Sequence, residues 1–268
     1  MSMCECWAVS LQFGIGMSTA AEDNLFCRQF RELTISRRGG LLVIQFQRWQ
    51  RRTIYELMRA LDAANADGDI SIVVLSGEFA VGREGDCQPL ALEQGPGREK
   101  RDEVEDRFIQ QRAADFVMRS LAKKLLSCRK LLVAFVQGPC QGLGVTICCL
   151  CDLVYATEAA YFLLSLSHLH PCVEAGPSWS LPHIEVLLRL GERADARSAL
   201  GSGFVASLAA GAQHFWTRMD QHSRLPTASL LATKRHLLRP WREQLLAQLR
   251  KESTPLAAQR RRLPSAKL

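Results

Sequence analysis

Glu174 stands in the turn-rich stretch His168-Leu-His170-Pro171-Cys172-Val173-Glu174-Ala-Gly176-Pro177, and a pair of glycines, Gly142 and Gly144, precedes it. So many Pro and Gly residues exclude regular structure, which places this one carboxylate on a loop beside the core. Glycines where a helix opens let backbone come close to something, and the unpaired N–H groups of a helix start favour developing negative charge. That combination suits an oxyanion. A second constellation, Cys148-x-x-Cys151 with His168, His170 and Cys172 downstream, carries donors suitable for zinc. The cysteines fall in an apolar helical stretch, however, where free Cys packs as a small hydrophobe, so no metal is expected. The histidines then either tune Glu174 or line its loop.

The elements that must position these residues can be read from hydrophobic periodicity. Leu131 to Val136 is an unbroken apolar run, as expected of a strand buried on both faces, closed by the turn signal Gly138-Pro139. A helix follows the glycines, and past Asp152 two short strands are expected at Leu153 to Ala156 and Ala160 to Phe162. Upstream, Leu41 to Phe46 reads as a strand and Thr53 to Ala66 as a helix with Ile54, Leu57, Met58 and Leu61 on one face. Ile70 to Leu75 reads as the next strand, and Glu103 to Cys128 as a helix beyond the polar loop Glu93 to Asp102, a pocket lid by its position. Helices are also expected at Thr227 to Leu238 and Trp241 to Lys251, the second striped by Trp241, Leu245, Leu246 and Leu249. Strands alternating with helices make the fold class α/β.

Two of these stretches carry a family resemblance. Lys130 to Ala156, KLLVAFVQGPCQGLGVTICCLCDLVYA, resembles the crotonase (enoyl-CoA hydratase/isomerase) pattern KPLIAVVNGPAVGxSVTLLxLxDxVYA. Ser167 to Ile184 matches SHLGQSPEGCSSYTFPKI of the peroxisomal-type Δ3,Δ2-enoyl-CoA isomerases without a gap. The resemblance implies a ββα spiral core over 29–210, a helical C-terminal region over 211–262 and a homotrimer. It implies that Glu174 is the catalytic base, carrying a proton from C2 to C4 of a fatty enoyl-CoA thioester. The backbone N–H groups of Val81 and Leu143 would form the oxyanion hole, with Ala80, Val81, Gly82, Arg83, Glu84 and Gly142 binding substrate. CoA enters as part of the substrate, so no cofactor is implied. Hydratases of the superfamily use two glutamates to handle water, and the matching positions here are Thr146 and Leu166. The pattern therefore favours isomerisation over hydration. Departures lie at Gln47-Arg48-Trp49-Gln50-Arg51-Arg52, in place of NRPxxxNA, and at the compressed segment Gly191 to Gly201. They leave open a second reading, a catalytically degenerate acyl-CoA-binding or scaffold protein.

The chain ends Ser265-Ala266-Lys267-Leu268, a variant of the S-K-L address read by the peroxisomal import receptor. Residues 263–268 are thus expected as an exposed tail, with the peroxisomal matrix as destination. Met1 to Ala21 has no Lys or Arg and contains Glu5, which argues against a secretory or mitochondrial presequence and makes 1–28 a loose extension. With 268 residues and 47% hydrophobic content, one sizeable core is expected, and the apolar runs are too short to span a membrane. A formal charge of +7 attracts anions, and CoA phosphates qualify. No helix-turn-helix, zinc-finger or RNP-like pattern accompanies that charge, so nucleic acid is not an expected partner. Without a secretory signal the ten cysteines are expected as reduced thiols.

Overall fold

In a strand covered on both faces, alternate residues must belong to different cores. The strand Leu131–Val136 does this. Leu132, Ala134 and Val136 face one hydrophobic cluster, and Leu131, Val133 and Phe135 face another. The computed structural model describes residues 30–81, 116–164 and 192–237, with 243–244 and 246–247. Its strands are β1 (Leu33–Arg38), β2 (Leu41–Phe46), β3 (Ile72–Gly77), β4 (Phe79–Ala80) and β5 (Leu131–Val136). They continue with β6 (Pro139–Gln141), β7 (Leu153–Thr157), β8 (Tyr161–Leu163), β9 (Ala194–Asp195) and β10 (Ser207–Ala209). The helices are α1 (Arg51–Ala66), α2 over 116–126, α3 (Leu143–Cys149), α4 (Ala196–Gly201), α5 (Ala212–Ser223) and α6 over 227–237.

One sheet has the order β1-β2-β3-β5-β7-β10 and the other β4-β6-β8-β9. From β3 to β8, each pair of consecutive strands therefore sends one member to each sheet, the topology expected of the ββα spiral. Pairing is parallel throughout the large sheet except for the antiparallel β1–β2 hairpin. The first cluster fills the space between the sheets and the apolar faces of α1 and α2, where Ile54, Leu57, Leu61, Leu121 and Leu125 are buried. The second lies on the opposite face of the large sheet. There α5 covers it with Phe215, stacked on Phe135 at 3.9 Å between ring centroids, and with Trp216 edge-on to both.

Several expected boundaries move. The strand expected from Ile70 starts at Ile72, because its parallel register with β2 begins at Leu41↔Ile72. Pro139 does not merely end a turn: it opens β6, whose pairing with β4 and β8 no local signal announces. The helix after the glycines ends at Cys149, leaving Cys151 beyond it. Strand β1, with polar residues at all of its exposed positions, is not among the expected elements.

Helix α6 is pinned by a buried ion pair. Lys234 Nζ lies 2.7 Å from Asp152 Oδ2 and donates to the Lys130 carbonyl at 2.6 Å. Asp152 Oδ2 also accepts the Leu132 N–H at 2.6 Å, so one carboxylate joins β5, β7 and α6. Burial pushes the Asp152 carboxyl above its ordinary value, while Lys234 and the Leu132 amide pull it back. Removing one partner leaves the other as an unpaired buried charge. Lys234→Ala or Asp152→Ala is therefore expected to cost about 3–5 kcal/mol in urea unfolding, and Lys234→Met combined with Asp152→Leu markedly less than the sum.

Candidate functional site

Strand β6 turns into α3 through Gly142, whose φ of 55° is a conformation that L side chains rarely adopt. The turn is tied on both sides. The Gly142 N–H donates to the Leu163 carbonyl of β8 at 3.1 Å, and its carbonyl accepts the Val145 and Thr146 N–H groups at 3.1 and 3.3 Å. Leu143 is the first helical residue, so no carbonyl inside the helix lies one turn back to receive its N–H.

The end of β4 lies against this helix start at unusually short range. A Cβ on Gly142 would fall 2.5 Å from the Val81 carbonyl oxygen, and one on Gly144 would fall 2.0 Å from that of Phe79. Only glycine fits at either place. The contact brings together four of the residues singled out in the sequence, Ala80, Val81, Gly142 and Leu143. Gly82, Arg83, Glu84 and Glu174 lie outside the described residues, as do Leu166, His168, His170, Cys172 and Ala266, Lys267 and Leu268.

Of the two amides expected to face a negative charge, that of Val81 is not idle. It donates to the Gln141 carbonyl at 3.3 Å, continuing the parallel β4–β6 pairing by one residue. That bond is long beside the usual 2.9–3.0 Å. Val81 itself is 5% exposed.

Side chains that the sequence did not single out hold this segment. The Trp49 indole N–H donates to the Glu78 carbonyl at 2.7 Å, and a Glu78 carboxylate oxygen accepts the Ala80 N–H at 2.7 Å. Trp49 packs on Phe46, with centroids 4.5 Å apart, and Phe46 meets Phe79 edge-on. The signal for Trp49 was a large apolar ring inside the charged run Arg48 to Arg52. On the other side, the Gln141 side-chain amide donates to the Tyr161 hydroxyl at 2.8 Å, with the Arg193 guanidinium 3.8 Å above the Tyr161 ring.

The cysteines gather elsewhere. Cys148, Cys149 and Cys151 line a cleft of about 240 Å³ with Asp152 and Phe204 at the far end of α3. Burial, then the neighbouring Cys140 thiol at 3.8 Å, pushes the Cys148 thiol well above its ordinary value, which disfavours the thiolate that metals and electrophiles need. Among the described residues no group of three or more His, Cys, Asp or Glu could hold a metal ion, and no helix is long and apolar enough to cross a membrane.

Comparison with known proteins agrees with this layout. The family model described as enoyl-CoA hydratase/isomerase matches residues 36–261. Human enoyl-CoA delta isomerase 2 is 27% identical over 235 residues, covering 81% of this chain and 57% of its own length. Mouse enoyl-CoA delta isomerase 3, peroxisomal, is 26% identical over 250 residues, covering 87% of this chain and 75% of its own. The chain thus spans little more than half the length of the human relative. Among solved structures, an enoyl-CoA hydratase from Bacillus halodurans superposes with a TM-score of 0.71 at 20% identity, covering 85% of this chain and 94% of its own.

The close approach is directly testable. Gly144→Ala must push β4 off the helix start and is expected to cost at least about 2 kcal/mol in urea unfolding. Gly138→Ala, whose Cβ would meet nothing within 4 Å, is expected to stay within about 0.5 kcal/mol of the parent.

Proposed function

The chain belongs to the enoyl-CoA hydratase/isomerase family, and from that premise we propose that it is a Δ3,Δ2-enoyl-CoA isomerase acting on unsaturated fatty acyl-CoA. Moving a double bond from C3 to C2 of a thioester requires removal of a C2 proton, a dienolate whose charge rests on the thioester oxygen, and return of the proton at C4. Glu174 is the proposed shuttle for both transfers. The Leu143 N–H, joined by that of Val81, is the proposed donor set for the oxygen. Such a donor is typically worth about 10²- to 10³-fold in rate.

The observation that carries this reading is the seating of β4 on the start of α3. Gly142 and Gly144 let the Val81 and Phe79 carbonyls rest against the turn on either side of Leu143, which supports Val81 and Leu143 as the proposed amide pair. The long Val81–Gln141 bond is the one an incoming thioester oxygen would exchange. Hydration fits less well. Thr146 is buried and supplies no carboxylate where the resembling hydratases carry a glutamate. The named activities of the human and mouse relatives also support the isomerase reading.

With purified protein and 3-hexenoyl-CoA or 3-decenoyl-CoA, conversion to the 2-enoyl product is expected, followed by its conjugated thioester absorbance. Glu174→Gln is expected to lower kcat at least about 10²-fold. Thioester binding without conversion in the unaltered protein would instead support the acyl-CoA-binding reading. We also propose a peroxisomal destination, read through Ala266, Lys267 and Leu268 and consistent with the mouse relative's name. Deleting those three residues from a tagged chain should turn a punctate distribution diffuse, and an unchanged pattern would rule out the tripeptide as the address.

A further inference from the structure

The segment 78–81 carries more side-chain restraint than its pairing requires. Strand β4 is two residues long, and Phe79 and Ala80 pair with Cys140 and Gln141. Beside the backbone bond from the Glu78 N–H to the Phe46 carbonyl at 3.0 Å, two side-chain hydrogen bonds hold the same short segment. The Trp49 indole N–H takes the Glu78 carbonyl at 2.7 Å, and the Glu78 carboxylate takes the Ala80 N–H at 2.7 Å. Trp49 is 8% exposed and wedged on Phe46, so the first of these restraints is anchored in the core. Glu78 is exposed, and among the described residues its carboxylate accepts the Ala80 N–H.

We infer that Trp49 and Glu78 are positioning residues for the Val81 amide, clamping residues 78–80 so that the Val81 N–H is kept from closing fully onto the Gln141 carbonyl and stays available to a thioester oxygen. The inference rests on the isomerase reading, whose oxyanion donors it explains. The peptide plane that carries the Val81 N–H begins at Ala80, whose own N–H the Glu78 side chain holds. Pull from the Trp49 side opposes closure toward β6, which accounts for a Val81–Gln141 separation of 3.3 Å at the end of an otherwise paired strand. If the clamp is released, that bond is free to shorten toward the usual 2.9–3.0 Å, and the amide becomes a poorer partner for anything else. An error of about 1 Å in such a group can cost up to about 10²-fold in rate. Neither residue touches the reacting atoms in this account, so substrate affinity in the ground state should change little.

The test uses the full chain and two ligands that differ at one carbon. Acetoacetyl-CoA can bind as its enolate, with charge on the thioester oxygen and a near-ultraviolet band of its own, whereas butanoyl-CoA cannot enolise comparably. Trp49→Phe, which keeps the ring packing but lacks the N–H, and Glu78→Ala are each expected to weaken the enolate complex about 5- to 20-fold. Butanoyl-CoA affinity should stay within about twofold, and kcat should fall about tenfold with KM within about twofold. Glu78→Gln, which keeps an acceptor oxygen for the Ala80 N–H, should restore most of the loss. An enolate band and kcat that Glu78→Ala leaves at the parent's values would overturn the inference while leaving the isomerase reading intact, even if Trp49→Phe fails to fold. Equal losses in Glu78→Gln and Glu78→Ala would also overturn it. A parent protein that shows neither the band nor turnover would remove the isomerase reading, and this inference with it.

Discussion

Everything proposed for this chain depends on one steric allowance, the missing Cβ at Gly142 and Gly144. Carbonyl oxygens of Phe79 and Val81 lie where side-chain carbons would otherwise be, so β4 can rest directly on the opening turn of α3. Any other residue at 144 would force backbone apart by more than the difference between a hydrogen bond and none. The positive φ at Gly142 adds a second requirement at the same place, since it is what lets β6 stop and α3 begin without an intervening loop. Two demands thus fall within three residues, the positive φ at Gly142 and the missing Cβ at both Gly142 and Gly144.

The surroundings serve to keep that contact in register. Four short strands form the smaller sheet, none longer than three residues, and strands so short have little stability of their own. Their order is imposed from outside. Parallel pairing in the large sheet sets the height of β3, β5 and β7, and each hands its chain directly to β4, β6 or β8. Buried aromatic contacts from Phe46 and Trp49 fix β4 from behind, while the Gly142 N–H and the Gln141 side chain fix β6 to β8. A rigid α/β core thus holds a site assembled from segments too short to hold themselves.

The Lys234–Asp152 pair belongs to the same scheme at a distance. Asp152 lies just past α3 and bonds back to β5, so the helix that begins at the glycine turn is closed at its other end by a carboxylate held by Lys234 and the Leu132 N–H. Buried pairs of this kind add little net stability over apolar residues of equal volume, but they specify geometry, because a carboxylate and an ammonium out of water tolerate few alternatives. The polar anchor and the glycine contact bracket α3 between them.

Sequence by itself determined the parts whose signal is local. The runs Leu41 to Phe46 and Leu131 to Val136 are strands at those bounds; the second is apolar throughout, and the first is interrupted only by the exposed Gln45. The one-sided stripe of Ile54, Leu57 and Leu61 marked α1, and the glycine pair marked the opening of α3. The family followed from motifs in the same stretches. What only the tertiary structure decided is non-local. Strands β4, β6 and β9 are two or three residues long and are defined by partners up to about sixty residues away, so no window of sequence contains them. That Pro139 opens a strand, that the Val81 amide is already engaged by Gln141, and that Trp49 reaches the Glu78 carbonyl all depend on how distant segments meet. Periodicity records which face of an element is buried; it carries no record of which backbone group lies opposite, and in this site backbone groups are what the chemistry would use.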